Sequence, residues 1–315
     1  MKTISLAKSD LKVSSVILGL MRIAQMPDVE IRKLVEAALS SGINIFDHAD
    51  VYGAIPHDCE TRFAQAMQFS SSDREKIVIQ SKAGIRKGEG IRKSFFDFSE
   101  AHLLGAVEGS LKALKTEYLD ILLLHRPDSL VMPEEVASAF DKLHAEGKVR
   151  NFGVSNHTPG QIELLKTCVR QPLIVNQAQL SITHSPMIAQ GVAMNMAGLE
   201  QSVDRTLGLL DYSRKEGITI QAWSPFQKKF FDGSFIGDRK DYPDLNDALD
   251  EIANTHGITP TGVAIAWITR HPANIQVVLG TTRPERVRES VAGAGISLSR
   301  EEWYRLFRAA GYSVP

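Results

Sequence analysis

Short apolar runs alternate with longer amphipathic segments along the whole chain. The runs Ser15–Leu20, Asn44–Asp47, Ile77–Ser81, Leu119–Leu124, Val149–Val154, Ile174–Gln179, Thr219–Ala222 and Gln276–Leu279 read as about eight buried strands with helical patterns between them. The segment before the second strand shows the helical period. Ile31, Leu34, Val35 and Ala38 fall at i, i+3, i+4 and i+7, with Arg32, Lys33 and Glu36 on the opposite face. A junction also recurs: Ser41-Gly42, Glu146-Gly147 and Glu216-Gly217 each end a helix on glycine, which tolerates the left-handed backbone there, and an apolar strand follows. Helix starts are marked by Thr158-Pro159 with Gln161, and by Ser299 with Glu302 in capping-box spacing. Eight alternating units predict an α/β fold, a closed (β/α)8 TIM barrel. Thr3–Leu6 and Leu11–Val13 flank a turn and predict an N-terminal β-hairpin, and Ser299–Ala310 predicts an extra C-terminal helix. The alternative is an open doubly wound sheet, whose G-x-G-x-x-G fingerprint is absent.

The whole chain, 1–315, fits one barrel domain, and no Pro/Gly/Ser-rich linker divides it. With 36 basic and 37 acidic residues, the formal net charge of −1 provides no field to draw the protein to nucleic acid or an anionic membrane. Any anionic ligand must be held locally. Two cysteines, Cys59 and Cys168, show no pairing signature and suit a reducing compartment. Residues 1–10 are polar, and no run approaches the roughly 18 apolar residues of a membrane span. The expectation is a cytoplasmic protein, a monomer or weak homo-oligomer, with a small-molecule partner.

Polar residues punctuate the strand ends. Asp47, Lys82 and His125 each follow an apolar run directly, and Tyr52 follows Asp47 within one loop. In a parallel barrel all strand C-termini open on one face, so residues distant in sequence meet there. Asp, Lys, Tyr and His converging on a barrel mouth make a sensible proton-donating device. Tyrosine, whose phenol ordinarily titrates near pH ~10, is a weak acid at neutral pH and needs a nearby cation to stabilise its phenolate. Lys82 can be that cation, Asp47 can hold it charged, and His125 can hydrogen-bond the substrate oxygen or relay the proton.

These residues lie in segments that resemble the aldo-keto reductases. The resemblance rests on Phe46-Asp47-His48-Ala49-Asp50-Val51-Tyr52-Gly53, on Gln80-Ser81-Lys82, on Tyr118 through Asp128, on Gly147-Lys148-Val149-Arg150 leading to Gly153-Val154-Ser155-Asn156, and on Gly280 through Arg286. It implies a barrel that binds NADPH and reduces aldehydes or ketones, with Asp47, Tyr52, Lys82 and His125 as the catalytic tetrad. By the same resemblance Ser155, Asn156 and Gln177 would bind the nicotinamide carboxamide. Trp223 would stack on the ring, with Ser224 and Pro225 after it, and Gly19, Met21 and Arg22 would approach the middle of the cofactor. Gly280, Thr281, Arg283 and Arg286 would form an anion site at a helix start, where two arginines favour a 2′-phosphate. Ser290 stands where the family usually has an adenine-gripping asparagine, and His48 replaces the commoner small hydroxyl residue.

Two long loops carry both rings and cations. Ala83–Phe98 contains Arg86, Lys87, Arg92, Lys93, Phe95, Phe96 and Phe98, and the loop after Trp223 contains Phe226, Lys228, Lys229, Phe230 and Phe231. The composition suits a ligand with an apolar body and an anionic group, but equally a loop that buries its rings and solvates its charges. Two other functions stay open: a lyase using Lys82 as a Schiff-base amine, and a cofactor-sensing regulatory or binding subunit.

Overall fold

In the computed structural model, which describes residues 1–88, 93–228 and 232–314, a hairpin of β1 (Thr3–Ser5) and β2 (Lys12–Ser14) precedes the barrel. Barrel strands β3 (Val16–Gly19), β4 (Ile45–Asp47) and β5 (Val78–Ala83) follow. A small antiparallel hairpin of β6 (Ile85–Arg86) and β7 (Phe95–Phe96) then interrupts the series. The barrel resumes with β8 (Leu119–Leu124), β9 (Val149–Ser155), β10 (Leu173–Gln179), β11 (Thr219–Trp223) and β12 (Gln276–Leu279). Neighbouring strands are parallel, and β12 closes on β3 with Val277, Val278 and Leu279 opposite Val16, Ile17 and Leu18.

Alternation along the strands builds two cores. Ile17, Ile45, Val78, Ile121, Leu123 and Val175 fill the barrel interior together with Ile4, Leu6 and Val13 of the hairpin, which covers the end where the strands begin. Leu18, Phe46, Leu122 and Leu124 face outward against helices such as Asp28–Ser40 and Glu100–Leu114. With the floor filled by hydrocarbon, polar chemistry is confined to the other end. The C-terminal helix Arg300–Ala309 begins with the expected capping box at Ser299. It docks by stacking Trp303 on Trp267 with centroids 4.8 Å apart, and each indole N–H donates to the other residue's carbonyl at 3.1 and 2.9 Å.

Strand ends differ from the sequence expectation in one way that matters. Lys82 does not follow β5 but lies inside it, because the ladder to β8 runs on through Ser81, Lys82 and Ala83 opposite Leu122, Leu123 and Leu124. A polar side chain pointing into the barrel mouth leaves the backbone pairing intact. In the loop beyond, only Phe98 is buried, while Phe95 and Phe96 are 56% and 45% exposed, so this loop does not simply hide its rings. Arg92, Lys229, Phe230 and Phe231 lie outside the described residues. No helix among the described residues is long and apolar enough to cross a membrane.

Candidate active site

Backbone hydrogen bonds aim the loop that carries Tyr52. After Asp47 closes β4, His48 N–H donates to Gln80 O at 2.8 Å and Asp50 N–H to Lys82 O at 3.1 Å, stitching the chain to β5. It then turns, with Tyr52 N–H donating to Ala49 O at 3.1 Å. Gly53 has φ +99°, and a Cβ there would lie 2.5 Å from the Asp58 side chain, so only glycine fits the turn. The outcome is that Tyr52 returns over Lys82. The fully buried ammonium donates to Asp47 Oδ1 and Oδ2 at 2.8 and 2.7 Å, to His48 O at 2.7 Å and to Tyr52 Oη at 3.0 Å. The His125 ring meets the Tyr52 ring edge-on, centroids 5.8 Å apart. All four predicted residues are brought together.

The protonation states follow from this packing. Burial alone would push the Lys82 amine down, but Asp47 and Tyr52 outweigh it and the pKa is raised, which keeps the ammonium. Burial raises the Tyr52 phenol by more than Lys82 lowers it, so the net shift is upward. Lys82 offsets part, not all, of the cost of desolvating the phenolate, so the resting phenol keeps its proton. Because the phenol oxygen accepts from Lys82, its own O–H is free to donate elsewhere. Burial, then Lys82 and Arg126, hold His125 well below the ordinary histidine value, and its Nδ1 is buried without a hydrogen-bond partner. It is a neutral imidazole, able to hydrogen-bond an oxygen without surrendering a full charge.

Beneath the tetrad lies a polar network that strand periodicity conceals. Gln80 and Gln177 donate to Asp47 Oδ1 at 2.6 and 2.9 Å and to Gln221 Oε1 at 2.9 and 3.1 Å. Gln221 donates in turn to Gln80 at 3.0 Å and Gln276 at 3.1 Å. The signal was a glutamine inside each of four apolar runs. Behind the loop that carries Tyr52 is a second cluster. Buried Glu60 accepts from Ser81 Oγ at 2.6 Å and pairs with His57 Nδ1 at 2.6 Å, and these partners, with His48, hold its carboxyl below the usual range despite burial. Burial pushes His48 down to about 4 and, with Glu60, pushes Asp50 up to about 7.

The residues assigned to the cofactor by resemblance fall in two groups. At the barrel mouth, Trp223 Nε1–H donates to Asn156 Oδ1 at 3.0 Å, Asn156 to Ser155 Oγ at 2.8 Å, and Ser155 to Gln177 O at 2.9 Å. Both Asn156 and Ser224 adopt positive φ, 60° and 53°, as the chain leaves its strands, and Pro225 is buried behind Ser224. Gly19 is explained by its neighbour strand: a Cβ would sit 2.8 Å from Leu279 O. Met21 is 39% exposed, and Arg22 bridges two loops by donating to Gly280 O at 3.2 Å. The second group surrounds the start of helix Pro284–Ala294, where Arg283 is the N-cap, its N–H donates to Thr281 Oγ1 at 3.1 Å, and Arg286 is exposed one turn on. Neither arginine has a carboxylate partner among the described residues. Ser290 does not join them, because it is fully buried and spends its hydroxyl on Arg286 O at 2.7 Å.

A cavity of about 540 Å³ adjoins the tetrad without containing Tyr52 or Lys82; Arg126, Asn156, Trp223 and Phe96 are on its wall. Among the described residues no group of three or more His, Cys, Asp or Glu side chains is placed to hold a metal ion.

Residues 15–310 match the sequence profile of the Aldo/keto reductase family. The chain belongs to that family. It is 36% identical to the uncharacterized oxidoreductase YcsN of Bacillus subtilis, with all of both chains covered. It is 32% identical to a 6-dehydroglucose reductase of Agrobacterium fabrum, over 97% of each chain. Among solved structures, the thermostable aldo-keto reductase Tm1743, in complex with the inhibitor epalrestat, superposes with a TM-score of 0.76 at 25% identity, over 98% of this chain and 100% of that one. This aldo/keto reductase is therefore an oxidoreductase on a closed parallel barrel, and the tetrad lies at the mouth of that barrel.

Proposed function

We propose that the protein reduces an aldehyde or ketone to an alcohol with NADPH, Tyr52 acting as general acid, in the reducing cytoplasm that its two free thiols suit. One observation carries the reading: Lys82 Nζ, pinned by both oxygens of Asp47, stands 3.0 Å from Tyr52 Oη. NADPH, when bound, supplies the hydride. Tyr52 donates its proton to the carbonyl oxygen, and the fixed Lys82 ammonium stabilises the phenolate left behind without reorganisation. Neutral His125 orients the same oxygen. Ser155, Asn156 and Gln177 have amide and hydroxyl groups of the kind that hold a carboxamide, and Trp223 presents the ring for stacking. On this reading Gly19, Met21 and Arg22, with Ser224, Pro225 and Gly280, contact the middle of the cofactor. Thr281, Arg283 and Arg286 fit a 2′-phosphate, since two unpaired guanidiniums flank a helix N-terminus that favours anions.

The Schiff-base alternative requires a neutral amine at Lys82. Asp47 instead holds an ammonium there. The test is a titration with NADPH and NADH, followed by a carbonyl panel and borohydride trapping. NADPH-dependent turnover without a covalent adduct is expected. An adduct, or no reduction of activated aldehydes, overturns the reading.

A further inference from the structure

The cavity beside the tetrad has a charge that its own walls leave unanswered. Arg126, next in chain to His125, is half-buried and lies with its guanidinium 5.7 Å from the Trp223 ring centroid. Among the described residues it has no salt bridge, and burial lowers its pKa with Tyr52, not a carboxylate, as the group that opposes the shift. No Asp or Glu lines the cavity. A second cation, Arg205, stands on the rim, but it is 54% exposed and already bonded to Glu200 at 2.5 Å. The remaining wall is largely apolar, with Phe96, Met187 and Leu209. Half-buried guanidiniums are ordinarily paired, because withdrawing a cation from water costs free energy that a counter-charge must offset. An arginine without a salt bridge among the described residues, in a concave site one residue from a catalytic histidine, is arranged for an anion that arrives with a ligand. Stacking over Trp223 holds the guanidinium in place and does not neutralise it.

On the carbonyl-reductase reading above, we infer that the cavity is a specificity subsite for the far end of the substrate, and that the substrate class is an aldehyde or ketone bearing a carboxylate or phosphate. The carbonyl oxygen meets Tyr52 and His125, the apolar body lies along Phe96 and Met187, and the anionic group reaches Arg126. A volume of about 540 Å³ accommodates such a body. The planar guanidinium is the side chain best suited to a bidentate contact with either anion.

The test compares 4-formylbenzoate with its methyl ester under NADPH. The ester withdraws electrons more strongly and its carbonyl is intrinsically the more reactive, so a preference for the acid cannot be electronic. The acid is expected to have kcat/KM at least about tenfold higher at low salt, the advantage shrinking as ionic strength rises. In Arg126→Met the acid-to-ester ratio should fall toward one, and in Arg126→Lys it should be partly kept. Glyceraldehyde 3-phosphate against glyceraldehyde separates the two anions: a preference in this pair alone assigns phosphate, and one in the benzoate pair assigns carboxylate. Absence of preference in both pairs, or a ratio unchanged in Arg126→Met, overturns the subsite while leaving the reductase reading standing. If none of the four aldehydes is reduced with either cofactor, the reductase reading fails and the subsite with it.

Discussion

Replacing Asp47 by asparagine should cost both stability and activity, in a way that removing Lys82 as well partly repairs. Lys82 has no exposed surface, and among the described residues its anionic contacts are the two to the Asp47 carboxylate at 2.8 and 2.7 Å. Asparagine is isosteric but leaves the ammonium buried against neutral groups. Breaking one side of a buried pair typically costs about 3–5 kcal/mol. With an unfolding entropy of about 0.7 kcal/mol per kelvin for a chain of this length, that is a fall in Tm of about 4–7 °C. The pH dependence has a definite sign. In the native protein Lys82 is raised, so its contribution is present below the ordinary lysine range and lost as pH rises through the higher folded value. In Asp47→Asn burial governs and the folded value drops below the unfolded one, so the deficit should narrow as pH rises toward about 10. Lys82→Met strands a carboxylate that still accepts from Gln80 and Gln177, and the double variant strands no charge. Thermal melts of the four proteins form the cycle, and the double variant should be at least about 2 kcal/mol more stable than the two single losses predict. Additive losses would refute the claim that these charges stabilise the site as a pair. All three variants should be poor catalysts, because Asp47→Asn deprives the cation behind Tyr52 of its carboxylate and the other two remove the cation itself.

Tyr52→Phe keeps the ring and deletes the acid, so turnover should fall by about 10² to 10⁴ while NADPH still binds; near wild-type reduction of 4-nitrobenzaldehyde would contradict the assignment. Arg286→Ala should weaken NADPH by about tenfold or more and leave NADH nearly unchanged, read by fluorescence titration at low salt; equal loss of both would show that a phosphate is not what Arg286 reads. Asp50, pushed up to about 7 with Oδ1 buried and unbonded, keeps in the folded state a proton that the unfolded chain releases near pH 4. Its charge therefore opposes folding increasingly as pH rises from about 4 to 7. Asp50→Asn should accordingly gain stability over wild type between about pH 5 and pH 8, and a Tm difference that does not change with pH would refute this.

The architecture was legible because it is local. Glycine closes a helix wherever the left-handed backbone is needed, and a barrel of eight such units buries its strands on both sides, which makes each a short apolar run. The same locality placed Asp47, Tyr52 and His125 at strand ends, since the chain there must leave the core, and the resemblance of the flanking segments named the family. What periodicity could not reveal was direction. Gln80, Gln177, Gln221 and Gln276 are single polar residues in apolar strands, and only closure of the barrel turns them inward, where their amides satisfy one another and Asp47. In sequence Arg126 is merely a basic residue after a strand; it is the fold that places it over Trp223, with no salt bridge to it among the described residues. Ser290, in the position of the family's adenine-gripping asparagine, is turned inward by the packing of its helix and is buried. Residue type and spacing determine which elements form and which end of each strand is polar. Which side chains share a counter-charge, and which are deprived of water, is decided by contacts between residues far apart in sequence, 141 positions in the case of Gln80 and Gln221. Since burial and pairing shift Lys82, Tyr52 and His125 away from their ordinary titration ranges, the chemistry of the site belongs to the tertiary structure.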